Sequence, residues 1–167
     1  MIAGAVAGLA TIACMCNPGG GPIVAGGTSP SGTPWTIRAS HKDPAQVTFE
    51  FSFGAPGYED AGSFTTLPYP VPHGFKLTAT GGSDFDASGT ADVSGITASR
   101  VVRVRIALAD GSVVRFRPQR ARADALRGRP WLRSFRVFEV FLQKGAEARE
   151  AVAFDAQGRV IARQRLS

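Results

Sequence analysis

Between Val47 and Phe53 the chain alternates without a break: Val47, Phe49, Phe51 and Phe53 against Thr48, Glu50 and Ser52. A period of two belongs to a strand with one buried face, and here that face is aromatic. Trp35, Ile37 and Ala39 alternate with Thr36 and Arg38 in the same way and predict a short strand before it. Phe75 to Ala79 reads as another. Turn-rich stretches punctuate these runs, from Gly54 to Gly62 and from Gly81 to Gly89. Pro68, Pro70 and Pro72 stand at alternate positions, which excludes a central strand because each lacks a ladder donor.

The most specific expectation falls on Arg100 to Pro118. Val102, Val104, Ile106 and Leu108 face one way, and Val114 and Phe116 resume that face after Asp110-Gly111. A two-residue loop would set Ile106 opposite Arg115, on the wrong face. A three-residue loop, Ala109-Asp110-Gly111 with Gly111 left-handed, sets Ile106 opposite Val114 and Val104 opposite Phe116. The same register places Arg105 opposite Arg115 and Arg103 opposite Arg117. Arg120 to Arg129 carries helix formers enough for one or two turns. Trp131 to Leu142 is apolar on both faces and predicts a central strand covered on both sides. Ala151–Phe154 and Val160–Ala162 flank Asp155-Ala156-Gln157-Gly158, a second hairpin signal. No segment has a long helical period. The fold expected is all-β, an antiparallel β-sandwich or small barrel.

The N-terminus changes this picture. The first charged residue is Arg38, and Met1 to Met15 is an unbroken run of apolar and small residues. The division expected is a hydrophobic signal or anchor helix over 1–16, a Gly/Pro-rich tether over 17–34 and a β domain over 35–167. Three readings of the run compete. Thr11-Ile12-Ala13-Cys14 is similar to a bacterial lipobox, whose cysteine is lipidated, although the positive n-region of a signal peptide is missing. A retained membrane helix is the second, short of the roughly 20 residues a bilayer needs, with Gly4 and Gly8 in a GxxxG spacing. A buried helix or strand of the domain is the third. The first two place the domain outside the cytoplasm, tethered to a membrane through 1–16.

Charge is uneven. The formal net charge is +6, yet residues 1–99 hold three bases against seven acids, and residues 100–167 hold 16 bases against six acids. Fifteen of those 16 are arginine. Guanidinium forks suit phosphate and carboxylate. A high-GC coding bias that writes Arg for Lys accounts for the same excess. Arg103, Arg105, Arg115 and Arg117 are the candidate site, a two-by-two patch on one hairpin face. Like charges directly opposite one another destabilise a sheet. The patch therefore needs an acid from another strand or an external anion: a phospholipid headgroup, a wall polymer or an acidic protein. Nucleic acid is disfavoured because no aromatic residues interleave with these arginines.

Catalytic and metal chemistry find little. His41, with Asp43 nearby, supports a hydrolytic triad only in outline, and no GxSxG is present. His41 and His73 supply at most half a metal site, to be completed by Glu59, Asp60, Asp84 or Asp86. Asp84-Phe85-Asp86-Ala87-Ser88-Gly89 lacks the third acid and the downstream Glu of a calcium loop. Cys14 and Cys16 are the two cysteines, too close for an ordinary staple, so the domain is held by burial. No cofactor is implied.

Gly32 to Trp35 (GTPW), Val102 to Gly111 (VRVRIALADG) and Val152 to Arg163 (VAFDAQGRVIAR) together resemble a class of actinobacterial exported, lipoprotein-like β domains. The resemblance would cover most of 32–167. It implies an extracytoplasmic β domain and carries over no catalytic residues. The function expected is non-catalytic: a membrane-tethered domain of the cell envelope binding a protein or an anionic envelope component. A structural subunit assembling through Met1 to Met15, pilin-like, is the alternative, and a hydrolase using His41 the third.

Overall fold

The structure, a computed structural model, describes residues 21–54, 61–72, 74–81 and 91–166. Among these the chain is all-β, with a single 3-10 turn at Pro130–Ser134. The strands are β1 (Ile23–Thr28), β2 (Pro34–Ser40), β3 (Gln46–Phe53), β4 (Ala61–Pro68), β5 (Leu77–Gly81) and β6 (Asp92–Ala98). They continue with β7 (Arg103–Leu108), β8 (Val113–Phe116), β9 (Phe135–Phe141), β10 (Ala148–Phe154) and β11 (Val160–Arg165). They form three antiparallel sheets, ordered β1-β2-β3-β4, β5-β6-β9 and β11-β10-β7-β8.

The alternating runs become strands with the expected faces. Trp35, Ile37 and Ala39 of β2 and Val47, Phe49, Phe51 and Phe53 of β3 are all buried in one core. The β7–β8 hairpin takes the expected register, with Ile106 opposite Val114, Val104 opposite Phe116 and Arg105 opposite Arg115. Its loop is Ala109-Asp110-Gly111, closed by Leu108 N–H on Ser112 O at 3.0 Å, with Gly111 at φ 83°. The second hairpin forms as β10–β11. Its loop closes through Asp155 N–H on Arg159 O, at 3.0 Å. The Asp155 carboxylate accepts the N–H groups of Gln157 and Arg159 at 3.0 and 2.9 Å.

The expectation of a tether over 17–34 fails for its described part. Ile23–Thr28 pairs along β2, and Val24 and Ala25 are both buried in the first core. A register shift between Ile23 and Ala25 lets these consecutive side chains pack inward together. Composition misled here because the glycines serve close packing. A Cβ at Gly27 would overlap the Trp35 indole, and one at Gly26 would press on the Trp35 carbonyl. The domain therefore starts at least twelve residues before Trp35. Residues 1–16 lie outside the described residues. Arg120 to Arg129 makes successive turns in place of one or two regular helical turns, with Leu126 N–H on Arg122 O at 3.1 Å, Arg127 N–H on Asp124 O at 3.3 Å and Arg129 N–H on Leu126 O at 3.1 Å. The central strand is shorter than 131–142, because Pro130–Ser134 winds into the 3-10 turn first.

The sheet β5-β6-β9 is covered on both faces. Phe135, Val137 and Phe141 of β9 and Ile96 of β6 join the core of the β1–β4 sheet. Phe138 and Val140 of β9 and Val93 of β6 join a second core with Val104, Ile106, Val114, Ala151 and Ala153. Opposite side-chain parity on the same two strands thus feeds the two cores. The segment after β8 ties the layers: Gln119 exchanges backbone hydrogen bonds with Val137 at 2.8 and 2.9 Å, and Arg122 N–H reaches Val24 O at 3.0 Å. Gln164 of β11 does the same for the edge of β5. Its amide accepts from Ala79 N–H at 2.8 Å and donates to Ala79 O at 2.6 Å, standing in for a strand.

The buried face of β6 and β9 that meets the first core is not wholly apolar. Asp92 and Glu139 are 1% and 2% exposed. Among the described residues neither Glu139 carboxyl oxygen has a partner of good hydrogen-bond geometry, and the Asp92 carboxyl lies beside it. Burial first, and the Asp92 charge second, push the Glu139 carboxyl well above its ordinary value of 4.5.

Two outcomes follow. Replacing Gly27 by Val should cost about 1–3 kcal/mol in urea unfolding by overpacking Trp35, whereas a glycine of a free tether would change stability by about 0.5 kcal/mol or less. Glu139 binds a proton in the folded state that the unfolded state has released above pH 4.5. Its contribution is therefore full below that pH and falls as pH rises toward the raised folded value, by up to about 1.4 kcal/mol per pH unit. Unfolding curves of Glu139→Gln, neutral at every pH, should lose that slope; an unchanged slope would refute the assignment.

Candidate anion-binding face

The outer face of the β11-β10-β7-β8 sheet is built by the parity that buries Ala151, Ala153, Val104 and Ile106 on its inner side. Residues opposite one another in the ladders form rows. Arg163, Val152, Arg105 and Arg115 make one row across the four strands. Arg165, Glu150, Ala107 and Val113 make the next. Phe154 pairs with Val160 on one side and Arg103 on the other. With strands spaced about 4.8 Å apart, neighbouring guanidinium stems stand within reach of one ligand. Gln164, held inward on Ala79, fixes which way Arg163 and Arg165 point.

Among the described residues one acid serves this face. Glu150 lies 3.1 Å from the Arg163 guanidinium and 3.8 Å from that of Arg105. Arg105 is half-buried beside it, and its Nε is buried with no partner. The Arg103 guanidinium sits 4.8 Å above the Phe154 ring centroid, a cation–π contact. Arg115, Arg117 and Arg165 are exposed, and the ion pairs among the described residues involve none of them. The face thus offers a half-neutralised centre at Glu150 and a free cationic margin on both sides.

Two expectations need correction. Arg103 does not stand opposite Arg117, because the β7–β8 ladder ends at Val104 and Phe116. Pro118 has no N–H to continue it, and Gln119 pairs instead with Val137. Arg117 remains exposed just past the strand. Nor is the face free of aromatics, since the fold brings Phe154 beside Arg103, although Arg103 covers its ring. Three participants escaped the sequence reading: Glu150, Arg163 and Arg165. The alternation of Arg163 and Arg165 with Ala162 and Gln164 marks an arginine-bearing strand face. Only the strand order β11-β10-β7-β8 shows which arginines it joins.

The other candidates are dispersed. The His41 ring packs edge-on against Tyr69 at 4.5 Å and tilts against Trp131 at 5.5 Å, and its Nε2 lies 3.3 Å from Pro44 O. Asp43 accepts Ala45 N–H on its carboxylate at 2.8 Å. His41, Lys42, Arg129 and Trp131 line a shallow cavity of about 360 Å³. Cys14, Gly4, Gly8, Glu59, Asp60, His73, Asp84 and Asp86 lie outside the described residues. Among the described residues no three His, Cys, Asp or Glu gather as a metal site, and no helix is long and apolar enough to cross a membrane.

The chain matches no protein-family model, no curated protein and no solved structure.

Proposed function

We propose that the chain is a non-catalytic binding domain, stacked in the manner of a β-sandwich, that holds an anionic partner on the outer face of β11-β10-β7-β8. The observation that carries this reading is the charge balance of that face among the described residues: Arg103, Arg105, Arg115, Arg163 and Arg165 on the ladders against Glu150. Such an array suits a repeated carboxylate or phosphate, as in an acidic envelope polymer or an acidic protein surface, because each guanidinium offers a planar fork. A polyanion spanning several arginines gains affinity that one ion pair does not supply. An exported, membrane-tethered placement rests on Met1 to Met15 and the lipobox-like Thr11 to Cys14. The assembly alternative rests on the same segment and has no support among the described residues.

The test is calorimetric titration of the full chain with soluble polyphosphate. Affinity should weaken as salt rises, and Arg115→Glu with Arg117→Glu should weaken it by about tenfold or more at unchanged melting temperature. Affinity indifferent to both changes would overturn the reading. For the placement, the intact mass of protein from its native host should show a chain beginning at a lipid-modified Cys14; an unmodified cytosolic chain would contradict it.

A further inference from the structure

A second basic cluster lies away from that face, where the crossover after β8 passes the start of β9. Ser99, Arg100, Arg120, Ala121, Leu126, Leu132, Arg133 and Phe135 enclose a cavity of about 350 Å³. Its floor is apolar: Leu132 and Phe135 are 1% and 2% exposed and belong to the first core, and Ala121 and Leu126 pack against that core. Its rim is cationic, with Arg100, Arg120 and Arg133 all exposed. Among the described residues no carboxylate lines it. Arg136 stands behind the rim, bonded to Ser99 O at 2.9 Å, where burial first and the Arg120 charge second depress its pKa. Neither Arg120 nor Arg133 makes an ion pair among the described residues. The nearest acid on this segment, Asp124, is taken by Arg122 at 3.3 Å.

Like charges gathered at the mouth of an apolar hollow are a poor arrangement for an empty protein and a good one for a particular ligand. The rim calls for a carboxylate or phosphate, since guanidinium pairs best with planar or tetrahedral oxyanions. The floor calls for hydrocarbon, whose burial adds about 0.8 kcal/mol per CH₂. The volume is at the small end of ligand pockets, which span about 300–1,000 Å³, and has no room for a two-chain lipid or a folded partner. We propose that this cavity is a binding site for a small amphipathic acid: one anionic head on Arg120 and Arg133, one short aliphatic or aryl body on Leu126, Leu132 and Phe135. The site is separate from the arginine face, and its ligand differs in kind, having a single anionic head and an apolar body.

Octanoate is the probe, with acetate as the head without the body and octyl phosphate as the other head. The full chain, held in a neutral-lipid nanodisc and ¹⁵N-labelled, is titrated with each by NMR. Octanoate or octyl phosphate should bind at one saturable site, shift Ala121, Leu126 and Phe135 amides, and bind about tenfold or more tighter than acetate. Preference between the two tells a carboxylate source from a phosphate source, and either supports the site. Arg120→Gln with Arg133→Gln should weaken that binding by about tenfold or more. Arg115→Glu with Arg117→Glu should leave it unchanged, which separates this site from the outer face. Acetate binding as tightly as octanoate, octanoate shifts scattered away from the cavity, or affinity untouched by the Arg120 and Arg133 changes would each overturn the proposal. Melting curves of the variants guard against loss of fold, and Leu126→Asn, which keeps the rim, should abolish the octanoate advantage over acetate.

Discussion

Burial of one strand on both faces is the constraint from which the rest of the domain follows. β9 sends Phe135, Val137 and Phe141 into one core and Phe138 and Val140 into the other. A strand so placed cannot be solvated on either side, so a sheet must cover each face. The β1–β4 sheet supplies one cover and the β11-β10-β7-β8 sheet the other. Each covering sheet keeps an outer face for polar residues, and Arg103, Arg105, Arg115, Arg163 and Arg165 collect on one of them. Close packing against the middle sheet also explains its glycine: a Cβ at Gly95 would overlap the Phe138 ring and the Thr78 carbonyl.

The same constraint creates an electrostatic cost. Asp92 and Glu139 sit side by side in the middle layer, both almost wholly buried, and burial and the Asp92 charge raise the Glu139 pKa. An apolar pair would pack there at lower cost. Charge on the outside is arranged differently. Asp155 answers Arg159 at 2.7 Å and Glu147 answers Arg149 at 3.3 Å. Among the described residues, the β-sheet face around Glu150 and the cavity rim at Arg120 and Arg133 are left under-neutralised. Their separation follows from the crossover: Pro118 turns the chain away from β8, and Gln119 to Leu126 then carries its arginines past β9.

Much of the all-β architecture is legible from period-two alternation. β2, β3, β7, β8 and β10 announce themselves because one face of each is apolar. The β7–β8 register follows from parity alone, since a slip by one residue would bury Arg115. Three strands are hidden for separate physical reasons. β1 is written with Gly26 and Gly27, which read as flexibility and serve the approach of Trp35. β4 ends at Pro68, tolerated because it is an edge strand. β6 reads Asp-Val-Ser-Gly-Ile-Thr-Ala, a polar pattern for a strand buried along nearly its whole length. The arginine hairpin is equally legible, but Glu150, Arg163 and Arg165 join it only through strand order, which no periodicity encodes.

Resonances of the arginine Nε–H groups read the central claim, that the outer face binds anions through arginines lacking acid partners. During titration of the full chain with polyphosphate, Arg115, Arg117 and Arg165 should shift together, Arg105 and Arg163 should follow as Glu150 is displaced, and Arg159 should stay fixed on Asp155. Shifts spread evenly over all arginines, or confined to residues outside the face, would contradict it.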